Sequence, residues 1–190
     1  MDVLQAIRER RSCRRFLPDP IGEETLRQML EAAAWAPSPL NSQPWEFVVV
    51  TNADKKAELR SAAEACHQWA LKESGWKWLS GYRMDFLTEA PAIIAVVGDP
   101  KKTGVDMFQQ EGTVAYQHAC AAAIQNIHLA AHALGFGSLW FTFFDKKAIR
   151  EILGIDPEKT PIGLVCLGKA GGDPTPAPRK DVKKKTTYIK

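Results

Sequence analysis

The feature that most constrains the fold is the position of four strand-like apolar runs along the chain. They fall at residues 45–51, 91–98, 138–144 and 162–169, and the first comes only after two helical stretches. The chain therefore lacks the strict alternation of strands and helices of a βαβ fold, and no GxGxxG turn follows any run. The pattern predicts an α+β fold in which a short sheet packs with helices.

Helical periodicity accounts for much of the remaining chain. Asp2 can cap a first helix, a second begins near Gly22 and must stop before Pro37, and residues 53–65 form a third. The longest predicted helix is an Ala-rich stretch at residues 111–134. We expect the first strand, which follows the second helix, to be central in the sheet.

The last residues are predicted to be extended. Prolines at positions 174, 176 and 178 prevent a helix or a hairpin there, and the segment has no core of its own. It must therefore lie along another surface, such as a second subunit, and its final residues could pair as an edge strand. We expect one domain at residues 1–171, with residues 172–190 as its extended C-terminal arm.

Length and composition exclude several classes of protein. A chain of 190 residues with 45% hydrophobic residues, 25% charged residues and a net charge of +3 suits one globular domain without a dedicated nucleic-acid surface. The four cysteines are widely spread and form no CxxC pair, so neither a disulfide framework nor a zinc site is indicated. The start lacks a secretory apolar region, and polar side chains interrupt the longest uncharged stretch, at residues 112–144. We expect a cytoplasmic protein.

Three segments are candidates for binding an anionic, flat ligand. Residues 10–14 place three guanidiniums and a hydroxyl within five positions, a set that can grip phosphate oxygens, although cations are also favoured at a helix C-terminus. The stiff proline-rich loop at residues 37–45 could hold a flat heteroaromatic ring or be an ordinary turn. Arg179 and Lys180 could join the site or form a solvated basic tail.

The order of these segments resembles the FMN-dependent nitroreductase family over nearly the whole chain. The motifs that carry the resemblance are Arg-Arg-Ser-x-Arg, Pro-Ser-x-x-Asn-x-Gln-Pro-Trp, Ala-Pro at residues 90–91, Gln-Asn-x-x-Leu-Ala-Ala at 125–131, Gly-x-Gly-Ser-x-Trp at 135–140, and Pro-Arg at 178–179. Each motif is weak alone, but six in this order are a strong signal. The implied fold is a short mixed or antiparallel sheet flanked by helices, with the C-terminal tail embracing a partner subunit.

The resemblance also implies a set of FMN-binding residues. They are Arg10, Arg11, Ser12, Arg14, Pro37, Ser38, Pro39, Asn41, Gln68, Gly137, Ser138 and Arg179. Residues 10–14 would hold the phosphate, ribityl chain and ring edge, and Arg179 would close on the phosphate.

The other members of this set would surround the flavin ring. The loop at residues 37–39 of the partner subunit would lie against the isoalloxazine, with Asn41 supporting it. The backbone of residues 137–138 would approach the flavin N5 and dimethylbenzene side, and Gln68 lies near the position where relatives place an amide for the pyrimidine edge.

The implied activity is that of an NAD(P)H-dependent FMN oxidoreductase. Tightly but non-covalently bound FMN would pass electrons from NAD(P)H to an aromatic or quinone-like acceptor, so the resemblance implies no catalytic acid. The protein would be a homodimer with FMN at the interface, built on the helix at residues 111–134. Specialised flavin chemistry on the same scaffold, reductive dehalogenation or flavin breakdown, is an alternative, as is non-catalytic flavin binding.

Two further patterns bear on function. Residues 68–86 are rich in aromatic side chains without a clean period. The segment could form a lid that covers an aromatic acceptor, or it could cover the core. His128 and His132 are four residues apart, as metal ligands can be, but no HExxH pattern or partner carboxylate accompanies them. We therefore expect no metal site. A nucleic-acid module is a weaker reading, since the basic ends lack interleaved aromatic residues.

Overall fold

The computed structural model describes residues 1–109, 112–172 and 176–190. Its centre is a four-stranded antiparallel sheet with the strand order β1-β2-β4-β3. The strands are β1 (Trp45–Val50), β2 (Ala92–Gly98), β3 (Gly137–Phe141) and β4 (Thr160–Gly168). This arrangement confirms the α+β fold. It also shows that the predicted central strand β1 lies at one edge of the sheet and β3 at the other.

Six α-helices surround the sheet in the described part of the chain. They are α1 (Val3–Glu9), α2 (Glu23–Ala34), α3 (Ala53–Ser74), α4 (Phe86–Glu89), α5 (Ala115–Ala133) and α6 (Lys146–Leu153). Side chains cap the N-termini of several helices by accepting an otherwise unpaired backbone N–H. The Asp2 carboxylate accepts from Leu4 N at 2.7 Å, and that of Asp145 accepts from Ala148 N at 2.8 Å.

The sheet has a hydrophobic core on each face. All seven residues of β2 are buried, as an inner strand covered on both sides requires. One core packs Leu59 of α3 and Phe86 of α4 against the sheet, and the other packs Met29 of α2 with Ile127 of α5. The candidate site lies at the margins of these two cores.

The structure corrects three expectations about the elements. Helix α3 continues to Ser74 instead of ending near residue 65, so the first part of the segment at 68–86 is helical. Helix α5 begins at Ala115; position 111, where the sequence pattern placed its start, lies outside the described residues. The tail forms a short 3-10 turn at Val182–Lys185, and its final residues do not form the predicted edge strand. Residues 173–175 of the arm also lie outside the described range. None of the described helices is long and apolar enough to cross a membrane.

The proline-rich loop before β1 is held against the segment that follows β2. Gly104, at φ +74°, lies so close to Pro39 that a Cβ at this position would be 2.5 Å from the Pro39 Cβ. The Ser42 hydroxyl donates to the Lys102 carbonyl at 3.0 Å. Asp106 in turn accepts from Ala115 N at 2.6 Å, which fixes this segment to the N-terminus of α5. The position of the loop is therefore set by the start of α5.

The C-terminal half of α5 contacts β3 through a buried polar pair. His128 Nδ1 and the Ser138 hydroxyl are hydrogen bonded at 2.7 Å, and both residues are buried. Burial lowers the pKa of His128 to about 4, with a further contribution from the charge of Arg10. His128 is therefore neutral at pH 7.

We predict that Gly104→Ala destabilises the protein more than Gly154→Ala. Both glycines have positive φ, but a Cβ at Gly154 meets nothing within 4 Å. Both substitutions should lower the free energy of unfolding by roughly 1–2 kcal/mol, because a residue other than glycine is unfavourable in the left-handed region. Gly104→Ala should cost about 1–3 kcal/mol more from overpacking against Pro39, which corresponds to a melting temperature lower by roughly 2–12 °C. Equal melting temperatures in thermal unfolding would show that the loop does not rest on Gly104.

We also predict that His128 makes the protein less stable in mild acid. In the unfolded chain a histidine binds a proton below a pH of about 6.5, whereas folded His128 does so only below about 4. Between these values the unfolded state binds more protons, so the free energy of unfolding falls as the pH falls, by up to roughly 3 kcal/mol. Urea unfolding of wild type and His128→Gln at pH 7 and pH 5 measures this effect. The pH dependence should be smaller in the variant, and an identical dependence in both proteins would contradict the assignment to His128.

Candidate functional site

The basic segment near the N-terminus is fixed to the sheet margin by backbone hydrogen bonds. Ser12 forms a parallel bridge with Ser138, and Cys13 N donates to the Ser138 carbonyl at 2.9 Å. Further along, Leu17 N donates to the Lys169 carbonyl at 2.9 Å. The segment therefore runs from the β3 edge to the end of β4. Two groups of predicted site residues, at 10–14 and 137–138, are neighbours in space.

Three guanidiniums converge beside this segment. Burial lowers the pKa of Arg10, and the charges of Arg11 and Arg179 lower it further, which shows that Arg179 of the tail lies near the C-terminal end of α1. Within the described ranges, none of the three forms an ion pair with a carboxylate. Mutual repulsion among close cations favours a bound anion, and guanidiniums suit phosphate oxygens. We name these three residues the arginine cluster.

Arg11 combines a structural role with an unsatisfied donor. One of its terminal nitrogens donates to the carbonyls of Arg8 and Arg10, the latter at 2.8 Å, so it caps the C-terminal end of α1 as the helix dipole favours. Its Nε is buried and has no hydrogen-bond partner in the part of the chain described. An unpaired buried donor is costly. This atom is therefore suited to receive an acceptor from a bound molecule.

The pair Gly137 and Ser138 has a structural explanation of its own. A Cβ at Gly137 would lie 2.9 Å from both the Cβ and the Sγ of Cys13, so only glycine permits the N-terminal segment to approach this closely. The Ser138 side chain is engaged with His128 and its carbonyl with Cys13. These contacts shape the margin next to the arginine cluster.

Arg14 belongs to a cavity that none of the three clustered arginines lines. The cavity has a volume of about 410 Å³, and its walls include Trp76, Trp78, Tyr82 and Phe143. A second cleft, of about 550 Å³, shares Arg14 and Tyr82 with this aromatic cavity. The segment 10–14 therefore extends from the arginine cluster to an aromatic cavity, and so it can contact both ends of an elongated ligand.

The segment at 68–86 contributes both to the core and to the wall of the aromatic cavity. Leu79 and Phe86 are buried in the core, and the Leu79 carbonyl is 2.7 Å from Nε2 of buried His67. Trp76 and Trp78 are 60% and 61% exposed. Leu79 and Phe86 therefore hold the segment to the core, whereas Trp76 and Trp78 have the exposure that a lid requires.

The proline-rich loop is compact and strained. Ser38 Oγ accepts from Gln43 N at 3.0 Å, and the Gln43 side-chain amide donates to the Asn41 side chain at 3.3 Å. Leu40, Asn41 and Gln43 all have φ between 45° and 53°, a region that costs free energy for residues other than glycine. Such a conformation persists where the surroundings impose it, and it is typical of ligand-binding loops.

The loop and the arginine cluster lie at opposite ends of α5. Pro39 packs near the helix start through Gly104, whereas Arg10 lies near His128, thirteen positions after Ala115. At 1.5 Å per residue this interval along the helix is about 20 Å. Within the described residues, no hydrogen bond or ion pair joins the two predicted parts of the flavin site.

Gln68 belongs to a further cleft, which none of the clustered arginines lines. It is exposed on α3 and lines this cleft of about 590 Å³ together with Arg60 and Asp85. Asp85 is paired with Arg60 at 2.8 Å and with Arg83 at 2.7 Å, and the Arg83 hydrogen bond is the main cause that lowers the pKa of Asp85. This cleft meets the aromatic cavity only at Tyr82.

Two residues of the site carry no signal in the sequence. Phe143 lines the aromatic cavity, yet in sequence it is one of several aromatic residues in the third apolar run. His128 fixes Ser138, a role that its spacing to His132 in the sequence does not indicate. In the structure, His132 faces Glu9 at 4.0 Å instead of sharing a ligand with His128. Only packing between distant elements reveals these roles.

The thiols near the core are unreactive. Burial raises the pKa of Cys120 to about 12 and also raises the pKa of Cys166. Because the thiolate is the reactive form, neither residue is suited to nucleophilic or redox chemistry.

Comparisons with known proteins agree with this architecture. A model of the nitroreductase family matches residues 7–169. A protein of Archaeoglobus fulgidus named as an NADH dehydrogenase/NAD(P)H nitroreductase is 34% identical over 173 residues, which cover 88% of this chain and 84% of the relative. The 5,6-dimethylbenzimidazole synthase of Rhodospirillum rubrum is 30% identical over 163 residues, or 84% of this chain and 77% of that protein.

A solved structure shares the fold. The nitroreductase of Exiguobacterium sibiricum, crystallised in complex with FMN, superposes with a TM-score of 0.80 at 22% identity and covers all of this chain and 98% of its own. Because the family model spans most of the chain and the A. fulgidus protein exceeds 30% identity over most of both chains, the chain belongs to the nitroreductase family.

Proposed function

We propose that the protein is an FMN-dependent NAD(P)H oxidoreductase that works as a homodimer. The observation that carries this proposal is the convergence of Arg10, Arg11 and Arg179 beside the β3 edge, without a carboxylate partner among the described residues. Family membership supports an oxidoreductase. The cofactor and the assembly are inferred from the site, and the reductant from the name of the A. fulgidus relative.

The donor set fits the phosphate end of FMN. Guanidiniums bind phosphate oxygens with two parallel hydrogen bonds, and a hydroxyl such as that of exposed Ser12 adds a further donor. The buried, unpartnered Nε of Arg11 would gain an acceptor. The FMN complex of the E. sibiricum protein, which has the same fold, supports this choice of cofactor.

The remaining predicted residues fit the ribityl chain and the ring. The segment from Ser12 to Arg14 leads from the arginine cluster to the aromatic cavity, so a ligand anchored by its phosphate would extend toward Arg14. When bound, FMN supplies a ring that accepts hydride from NAD(P)H and passes electrons to an acceptor. Arg14 would place positive charge near the edge of the bound ring, where it would stabilise negative charge.

A homodimer would complete the site. The strained loop is linked to the start of α5 through Asp106, and Arg10 acts on His128, about 20 Å further along the helix. A twofold axis across the middle of this helix would bring the loop of one subunit to the arginine cluster of the other. The loop end carries apolar side chains that one chain leaves uncovered: Trp35, Leu40 and Phe108 are 87%, 79% and 83% exposed. Exposed apolar patches of this kind mark protein interfaces.

We predict that the purified protein shows the absorbance of oxidised flavin and is bleached by NADH or NADPH. Arg179→Gln should lower the affinity for FMN about ten- to a hundredfold, because a hydrogen bond to a charged group contributes roughly 1.5–3 kcal/mol. Titration of flavin-free protein with FMN measures this affinity. Bleaching separates a redox enzyme from a passive flavin carrier.

Lys180→Gln is the matched control, because it removes a neighbouring positive charge that is not among the cations acting on Arg10. Its FMN affinity should stay within about twofold of wild type. Equal losses of FMN affinity in both variants would mean that FMN binding depends only on the overall positive charge of the tail. A colourless protein that does not bind added FMN would overturn the proposed cofactor.

We predict that the flavin-loaded protein sediments as a dimer at micromolar concentration. An obligate interface of this type buries on the order of 2,000 Å² or more, and the exposed Trp35, Leu40 and Phe108 would form part of it. Gln125→Glu, on the exposed side of α5, should weaken the dimer and lower flavin content together by placing like charges near the twofold axis. A monomer that retains stoichiometric flavin would refute the shared site.

Flavin breakdown is the second candidate, because the R. rubrum relative is named for dimethylbenzimidazole synthesis. The two activities differ in what is consumed. A nitroreductase-type enzyme returns its flavin unchanged after each turnover, whereas flavin breakdown destroys reduced FMN, so the products after aerobic incubation with NADPH and excess FMN distinguish them.

The four free thiols fit a reducing compartment such as the cytoplasm.

A further inference from the structure

A buried carboxylate lies between β2 and the start of α5. Asp106 and Thr103 are 7% and 2% exposed. One carboxylate oxygen of Asp106 accepts from Val114 N at 2.8 Å and from Ala115 N at 2.6 Å. The other oxygen accepts from the Thr103 hydroxyl, and this hydrogen bond is the main cause that lowers the pKa of Asp106. Because a helix N-terminus has unpaired N–H groups and favours negative charge, Asp106 binds residues 103–106 firmly to α5.

The proline-rich loop is attached to the segment at residues 99–106 near both of its ends. The Pro44 carbonyl accepts from Asp99 N at 2.8 Å. Pro39 packs on Gly104, where a Cβ would lie 2.5 Å from the Pro39 Cβ. The loop therefore rests on the segment that Asp106 holds.

The loop depends on this support because its backbone is strained. Leu40, Asn41 and Gln43 have φ between 45° and 53°, a region that is unfavourable for residues other than glycine. The Leu40 side chain is 79% exposed, so its own burial does not compensate for this conformation. Inside the loop, Gln43 donates one backbone and one side-chain hydrogen bond. The remaining support comes from residues 99–106.

We propose that Asp106 is a positioning residue for the flavin ring bound by the partner subunit. Asp106 acts through the segment at residues 99–106, which keeps the proline-rich loop in the conformation that contacts the ring. This inference rests on the proposed function, in which the loop of one subunit meets the arginine cluster of the other. It adds that the two ends of the flavin are held by separate groups: the ring depends on Asp106 at the start of α5, and the phosphate depends on the arginine cluster near His128.

The test distinguishes the ring end of the flavin site from the phosphate end. In Asp106→Ala the loop loses its fixed position, so the affinity for FMN should fall about tenfold, the equivalent of one lost hydrogen bond. The visible circular dichroism of FMN at saturation should also change, because the ring lies in altered surroundings. In Arg179→Gln the affinity should fall as well, but the dichroism at saturation should stay that of wild type, because only a phosphate contact is lost.

Asp145→Ala is the matched control, because Asp145 caps α6 by accepting from Ala148 N at 2.8 Å and is not among the predicted flavin-site residues. Both alanine variants should have a lower melting temperature, since each loses an acceptor at a helix N-terminus. Asp145→Ala should nevertheless keep the FMN affinity and the dichroism of wild type. A role of Asp106 in stability alone would give the same result in both variants.

Thr103 offers a second pair of variants, which decides the question if Asp106→Ala does not fold. Thr103→Val removes the hydroxyl that donates to Asp106, whereas Thr103→Ser retains it, and both keep the carboxylate. Thr103→Val should lower the FMN affinity and change the dichroism. Thr103→Ser should resemble wild type in both measurements.

A mixed dimer tests whether Asp106 acts on the site of the partner. Subunits with Asp106→Ala and subunits with Arg179→Gln are co-expressed with different affinity tags, and the mixed dimer is isolated. One flavin site then combines an intact loop with an intact arginine cluster, and the other site carries both defects. Half of the sites should therefore bind FMN with wild-type affinity. If Asp106 acted within its own subunit, each site would carry one defect and no such site would appear.

The outcomes also separate this inference from the proposed function. Wild-type affinity and dichroism in Asp106→Ala and Thr103→Val would overturn the positioning role and leave the proposed function intact. The same changes in Asp145→Ala, or a mixed dimer without a wild-type site, would overturn it too. A wild-type protein that does not bind FMN would refute both.

Discussion

Backbone pairing between residues 12–17 and the ends of β3 and β4 is the contact on which the candidate site depends. Cys13 N donates to the Ser138 carbonyl, and Gly171 N donates to the Arg15 carbonyl, each at 2.9 Å, so the segment is fixed at two points. The close approach of Cys13 to Gly137 leaves no space for another side chain. Without this pairing the segment between α1 and α2 would be a loose basic loop. With it, the guanidiniums have defined positions relative to the sheet.

The length of α5 determines how the rest of the site is distributed. Asp106 fixes the proline-rich loop to the start of this helix, and His128 fixes Ser138 to its second half. A straight helix keeps two such points about 20 Å apart. The site described by the sequence motifs is thus divided between the two ends of one rigid element. A second copy of the chain, related by a twofold axis, is the simplest way to join them, because each copy then supplies the part that the other lacks.

The segment that follows α3 shows how one stretch of sequence serves two purposes. Leu79 and Phe86 are buried in the core, which keeps the stretch in place, while Trp76 and Trp78 remain exposed over a cavity. Mixed spacing of aromatic residues is the consequence, because buried and exposed positions are not separated by a helical period. This is also why the sequence pattern left both a lid and a core cover open: Leu79 and Phe86 cover the core, and a lid formed by the exposed tryptophans stays a prediction.

The sequence by itself determined the fold class, the family and most element positions. Apolar runs become strands because their side chains must leave water, and caps such as Asp2 and Asp145 satisfy backbone groups locally, so these features are encoded within a few residues. Tertiary structure decided what depends on contacts between distant segments. It placed Arg179 beside Arg10, moved Arg14 away to an aromatic cavity, paired His128 with Ser138, and set Gln68 on a separate cleft. A guanidinium carries the same charge wherever it stands in the sequence, and only the packing of the helices on the sheet fixes which groups it meets.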